Sequence, residues 1–273
     1  DWEMRFYDLT REREGMTIDM DFEYSPNTSF FANYLFNEYV DDEIRHKDEY
    51  RARNVVESSI TSTSAAYQRI TADKETRKRI ETRQIKTQIV GGETNLGDLN
   101  FKFQASNSFA EEADDNNVDA KFRSECRIRE GDEICGTYNW SNPQFIDLVL
   151  APAASDLLDP SSYGWDEFEI DYGVIQDKEK AVKFDFENEN FELFSTPMVL
   201  QFGYKYSTRT KSNTEGNIDG SDAMSPLGMI SYSPYTPDKW YFPQTLGFFA
   251  DPDLLFGAQD QFRPLDVDLA DFW

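Results

Sequence analysis

Two pairs of adjacent carboxylates, Asp41/Asp42 and Asp114/Asp115, are the first residues whose type and spacing suit a reaction. Two carboxyl groups flanking a glycosidic bond serve as acid and base, or as acid and nucleophile, when they face one another across it. Neighbours in an extended chain point to opposite faces, so neither pair meets that condition in a strand. Two runs rich in Asp and Asn, DDNNVDA (Asp114 to Ala120) and GNIDGSDA (Gly216 to Ala223), supply the oxygen ligands that calcium takes. Neither has the glycine and glutamate spacing of an EF-hand loop. Solvated loop acids explain both runs, and no metal site is predicted. A single histidine, His46, leaves no His-based cluster and no His-rich active site. No catalytic residue and no cofactor is expected, and the chain does not read as an enzyme.

Cys126 and Cys135 stand in CRIREGDEIC, flanked by charge and by a Gly131-Asp132 turn signal. That setting suits a local disulfide in an exposed loop and an oxidising compartment. Zinc would need a second Cys/His pair. Ten aromatics fall in segments that read as loops: Tyr138, Trp140, Tyr163, Trp165, Phe168, Tyr232, Tyr235, Trp240, Tyr241 and Phe242. Ring faces stack on sugars or planar ligands, and loops tend to carry function on a rigid frame. Tyr138, Trp140, Tyr163, Trp165, Tyr235, Trp240 and Tyr241 are therefore the candidate ligand-binding residues. The other reading is that long loops pack on themselves and need apolar anchors.

The elements that would position these residues are strands. Of 273 residues, 52 are acidic and 27 basic, a net charge of −25 that excludes a cationic footprint for nucleic acid. No apolar run is long enough for a transmembrane helix. In MTIDMDFEY, Met16, Ile18, Met20, Phe22 and Tyr24 alternate with Thr17, Asp19, Asp21 and Glu23. Similar combs set Trp2, Met4 and Phe6 against Glu3, Arg5 and Tyr7, and Leu99, Phe101 and Phe103 against Asn100, Lys102 and Gln104. Val182, Phe184 and Phe186 oppose Lys183, Asp185 and Glu187; Leu200, Phe202, Tyr204 and Tyr206 oppose Gln201, Lys205 and Arg209. In TRQIKTQIV the apolar face is read as Ile85, Thr87 and Ile89. Period-two alternation predicts seven strands near 2–12, 15–25, 29–45, 77–90, 98–110, 179–188 and 198–211, with long loops near 46–76, 111–178 and 212–273.

Short turns thus alternate with long loops, and two architectures accommodate that pattern. In a β-sandwich the apolar face meets a core. In a transmembrane barrel it meets lipid, the polar face lines a wet or plugged lumen, and the long loops are extracellular. Charges of both signs on the polar faces favour the barrel. So do rings near strand ends (Trp2, Tyr24 and Tyr206), where an interfacial girdle would lie.

The segment YDLTREREGMTIDMDFEYSPNTSFFANYLFNEYVDDEIRHKDEYR resembles barrel hairpins of TonB-dependent receptors, the outer-membrane transporters of Gram-negative bacteria. KAVKFDFENENFELFSTPMVLQFGYKYSTRTKSN resembles them as well. The resemblance implies a barrel of about 22 strands closed by an N-terminal plug. It further implies TonB-energised uptake of a siderophore, haem, vitamin or oligosaccharide, with ligand bound by extracellular loops and plug apices. Partners would be outer-membrane lipid, the ligand, and TonB acting through the plug. Beginning at Asp1 inside what reads as a strand, with no signal-peptide pattern, plug or TonB box in view, the chain is expected to be an interior piece of a longer protein.

The expectation is therefore an all-β, antiparallel, up-and-down transmembrane barrel wall, incomplete, in the outer membrane of a Gram-negative bacterium. A secreted β-rich carbohydrate-binding protein or glycan-active enzyme is the alternative. A porin-like channel without a plug is a third.

Overall fold

Connections too short to do anything but reverse the chain govern one end of the molecule. In the computed structural model, which describes residues 1–142, 146–194, 196–219, 232–234 and 248–252, β1 (Trp2–Ser25) turns through Pro26 and Asn27 into β2 (Thr28–Val55). β3 (Ser64–Leu96) turns through Gly97 and Asp98 into β4 (Leu99–Arg127). Past β5 (Gly136–Asn139) and β6 (Asp147–Leu150), β7 (Gly164–Leu193) and β8 (Thr196–Asp219) are also two residues apart. Gly97 (φ 65°) and Phe194 (φ 54°) supply the left-handed backbone that two-residue hairpins need. The long strands form one antiparallel sheet in the order β1-β2-β3-β4-β7-β8.

These strands outrun the predicted ones. The segments 2–12 and 15–25 are one strand, so six long strands replace the expected seven. The expected loop 46–76 is strand except for 56–63, which holds a single 3-10 turn, Glu57–Ser59. Strand likewise fills the expected loop 111–178 up to Arg127 and again from Gly164. The physical reason lies across the sheet: charged runs that look like loops in isolation find opposite charges on the neighbouring strand.

Pairing sorts the side chains into two faces. Three rows run across the sheet near the turns: Met20-Ala32-Val90-Ala105-Val182-Tyr206, Phe22-Phe30-Gly92-Phe103-Phe184-Tyr204, and Thr94-Phe101-Phe186-Phe202. Phe186 lies 4.6 Å from both Phe101 and Phe202, centroid to centroid. Phe30 and Phe103 reach toward each other across Gly92, where a Cβ would come within 2.8 Å of the Phe30 ring. No second layer covers this band among the described residues: Met20 is 60 % exposed, Phe22 61 % and Phe202 59 %. Asp19, Asp21, Lys102, Gln104, Lys183 and Asp185 lie on the reverse face.

Two expectations about faces are corrected. Ile85, Thr87 and Ile89 lie on the polar side, because Val90 pairs with Ala32 and Ala105 and brings the opposite parity of β3 into the band. Trp2 is no part of an aromatic girdle. It packs on Tyr50 at 5.4 Å, and fourteen residues of strand, about 45 Å, separate it from Met16.

Toward that far end the band's face is covered rather than bare. The excursion after β4 lays β5 on the start of β3, β6 on β5, and two 3-10 turns, Pro152–Leu158 and Pro160–Ser162, over the sheet. Leu157 and Tyr163 are packed there against a cluster including Tyr50, Ile70, Ala120, Phe122 and Phe168. β9 (Tyr232–Pro234) and β10 (Phe248–Ala250) form a separate pair that adds Ala250 to it. Cys126 and Cys135 are joined, their Cα atoms 5.8 Å apart. The bond closes the excursion where β4 leaves β3 and β5 takes its place, with the Cys135 amide donating to the Tyr67 carbonyl.

Replacing both cysteines with serine should lower the stability of this covered end by about 2–3 kcal/mol, the loop-closure entropy of a short ring. Urea unfolding followed by tryptophan fluorescence, with and without reductant, measures it. Equal midpoints would show that the bond adds nothing.

Candidate functional site

Charge on the far half of the reverse face is arranged by register. Two rows cross five strands: Tyr7-Arg45-Arg77-Asp119-Glu169 and Arg5-Lys47-Glu75-Lys121-Glu167. A third continues Glu3-Glu49-Asp73-Arg123. Arg45 bridges Glu75 and Asp119, and Arg77 reaches the same Asp119 at 3.2 Å. Lys47 meets Glu75 at 2.9 Å. Arg123 grips Asp73 through Nε (2.7 Å) and Nη2 (3.0 Å), while its Nη1 holds Asp166 at 2.7 Å. Burial pushes the Glu75 carboxyl up, but Lys47 and Arg45 outweigh it and hold it below the ordinary range. Asp119 is pushed up to about 6 by burial and by Glu75, against the pull of Arg77 and Arg45. This wall pairs charge across strands, with the Asp73 and Glu75 carboxylates buried between their cations.

On the opposite face, beneath the apolar cover, lies a smaller polar island. Lys74 Nζ donates to Asp48 at 2.7 Å, and both side chains are buried. One row along, His46 Nδ1 lies 3.1 Å from Thr76 Oγ1, and that hydroxyl donates to the Ala250 carbonyl at 3.2 Å. A hydroxyl has one proton to give, so the histidine donates through Nδ1–H. The Phe249 ring lies 4.7 Å from the imidazole and covers it. Burial lowers His46 to about 4, with Asp8 opposing.

The candidate aromatics divide. Tyr138 is buried, its hydroxyl donating to the Tyr50 carbonyl at 2.8 Å, and buried Tyr163 donates to the Leu157 carbonyl at 2.9 Å. Trp165 packs edge-on to Phe122 at 4.7 Å and leans on Phe168. Half-buried Trp140 donates from its indole nitrogen to the Ser62 carbonyl at 3.0 Å. All four rings pack into or against the covered cluster, Tyr138 and Tyr163 buried and Trp140 and Trp165 half-buried. Tyr235, Trp240, Tyr241 and Phe242 lie outside the described residues, as does the side chain of Tyr232.

The acidic candidates also separate. Asp41 is buried on the charged face, accepting from Arg11 (3.2 Å) and the Tyr39 hydroxyl (3.2 Å), whereas Asp42 is exposed on the other face. Adjacent strand residues part in this way, so they form no acid–base pair. Asp114 to Ala120 is strand, interrupted by an irregular step between Asp114 and Asn117; the Asp115 side chain lies outside the described residues. Gly216 to Asp219 ends β8, and the rest of that run is likewise outside. No cluster of three metal-ligating side chains occurs among the described residues.

The sequence reading missed the charged wall. Its signal was present in EIRHKDEYRAR and ADKETRKRIETR, whose alternate positions carry charges that pair across β2 and β3. Against protein-family models, and against curated proteins, the chain finds no match.

The island carries a pH dependence with a definite sign. An unfolded histidine takes up its proton near pH 6.5 and His46 only near 4, so its stabilising contribution is complete above the first value and lost as pH falls toward the second. Asp48, raised to about 6 by burial against the pull of Lys74, acts in the opposite sense, its contribution being lost as pH rises toward 6. His46→Gln should therefore remove about 2–3 kcal/mol of the destabilisation that histidine causes between pH 7 and 4.5. Urea midpoints of both proteins at the two pH values test it. Identical pH profiles would contradict a neutral buried imidazole.

Proposed function

We propose that this chain forms part of the wall of an outer-membrane β-barrel that imports a scarce nutrient. The carrying observation is the bare apolar band: three rows rich in large apolar side chains, exposed or half-exposed with no second layer over them among the described residues, and a charged and amide-rich face behind them. A soluble sheet would bury such a band against a second layer. Lipid is the other solvent that accepts it, and backbone groups meet the need for internal pairing by bonding between strands. On β1 the band spans Met16 to Tyr24, nine residues, close to the roughly 9–11 that a tilted strand needs to cross a bilayer. The two-residue turns then lie on the periplasmic side, and the long charged strands with their cover rise outside the cell. β1 and β8 are the sheet's edges; a membrane wall requires further strands to pair with both.

Import, as opposed to passive passage, is supported by the likeness of the 7–51 and 180–213 segments to hairpins of TonB-dependent receptors. In that reading the charged wall faces a plugged lumen, and TonB acts through a plug domain. The ligand belongs to the class of siderophores, haem, vitamins or oligosaccharides.

Phe22→Arg and Phe202→Arg should each impair membrane assembly, because a cation near the midplane of a barrel costs about 2–4 kcal/mol. Single cysteines at 18, 20 and 22 should resist a water-soluble maleimide in membranes while those at 19, 21 and 23 react. Uniform labelling and normal assembly of both arginine variants would end the membrane reading. Import is tested by accumulation of labelled ferric siderophore, haem, cobalamin or oligosaccharide in cells with and without TonB. Passage that ignores TonB would leave a porin-like wall, and no accumulation of any of the four would remove the import assignment.

A further inference from the structure

On the apolar face, lysines collect at the border remote from the hairpin turns. Two residues beyond the Val90-Ala105-Val182 row the sequence across the sheet is Tyr34-Gln88-Asn107-Lys180-Thr208. The next row on this face is Phe36-Lys86-Phe109-Lys178-Thr210. Lys86 and Lys178 therefore flank β4, about 10 Å apart, and Lys180 follows Lys178 along β7 by about 7 Å. Each of the first two lies against its cross-strand phenylalanine: Lys86 Nζ is 5.6 Å from the Phe36 centroid and Lys178 Nζ 5.5 Å from that of Phe109. Stem on apolar surface and ammonium at its border is the posture of a lysine at a membrane surface.

The pairing of these cations sets them apart. On the reverse face Arg45, Lys47, Arg77, Lys121 and Arg123 all meet carboxylates. Lys86, Lys178 and Lys180 are exposed, and no ion pair joins them to a carboxylate among the described residues, in a chain whose net charge is −25. The acids in the row beyond them are Glu14, Glu38 and Glu111. Glu111 is held on both oxygens by amides, Gln84 at 2.5 Å and Gln176 at 2.7 Å.

We propose that Lys86, Lys178 and Lys180, with the polar side chains of Gln88, Asn107 and Thr208 beside them, form a binding site for the phosphate of an anionic lipid headgroup. The inference rests on the membrane reading and adds a lipid specificity to it. An ammonium supplies point charge and three donors to phosphate oxygens. Cations held at the surface of a bilayer gain most from phosphate carried by the lipid itself.

The test uses the full protein in phosphatidylcholine nanodiscs with and without phosphatidylglycerol, comparing wild type with the combined Lys86→Gln, Lys178→Gln and Lys180→Gln variant. Native mass spectrometry reads the phosphatidylglycerol retained. Wild type should retain it, and the triple variant should bind roughly a hundredfold more weakly, given the usual gain per surface cation. A Lys183→Gln, Lys205→Gln control on the reverse face should bind as wild type does. Excess inorganic phosphate should not displace the lipid; displacement would assign the lysines to free phosphate and overturn the lipid site. If the alternating maleimide pattern persists in phosphatidylcholine but wild type and triple variant retain the lipid equally, the lysine site falls and the membrane reading stands. If that pattern is absent, both fall.

Discussion

Strand register across six strands, continuous through the apolar band and shifted at only a few defined steps, is the constraint on which the rest of this structure depends. Side chains alternate with period two, so a slip of one residue in any pairing would carry a whole comb to the wrong face. The two-residue turn after Leu96 runs straight into the Leu96–Leu99 and Asn95–Asn100 pairs and leaves no slack for such a slip. Val90 shows how strict the result is: facing Ala32 and Ala105 at once, it sends Ile85 and Ile89 to the polar side whatever their own hydrophobicity. Local preference yields because backbone bonds along about thirty residues outweigh two misplaced isoleucines.

Within that frame the sheet has two regimes, divided near the irregular steps between Lys78 and Glu81 and between Asp114 and Asn117. On the turn side one face is apolar and bare and the other polar. Beyond the steps, the bare face acquires a cover and the polar face becomes an ion-pair network. A bulge takes up a residue without losing the sheet. On β4 this exchanges the odd positions of the band (Phe101, Phe103) for the even positions of the covered cluster (Ala120, Phe122) on one continuous face.

The covered end owes its cohesion to packing more than to charge. Attraction in largely buried ion pairs is offset by the cost of taking both charges out of water, so Arg45, Lys47 and Arg123 specify which strand meets which more than they hold the sheet together. Ile70, Phe122, Leu157, Tyr163 and Phe168 supply the apolar burial, and the Cys126–Cys135 bond ties the excursion to the strand it leaves. The His46–Thr76–Ala250 chain and the Lys74–Asp48 pair are polar groups placed under that cover with partners provided, which keeps the cost of burying them tolerable.

What the sequence determined alone is what depends on near neighbours. The combs at Met16–Tyr24, Leu99–Phe103, Val182–Phe186 and Leu200–Tyr206 announce strands and their faces, because alternation is a property of consecutive residues. The cysteines, nine positions apart around a turn, announce a bond. Tertiary structure decided everything that needs a partner far along the chain. Only pairing reveals that the charged runs of β2 and β3 continue as strand, since Glu75 stabilises Arg45 thirty residues away. Nor does any local pattern choose between ligand contact and anchor for Tyr138 and Tyr163: their place in the cluster is seen only once the Tyr50 and Leu157 carbonyls accept hydrogen bonds from their hydroxyls. A side chain's chemistry is written where it stands, but its surroundings are set by whichever strand the register brings beside it.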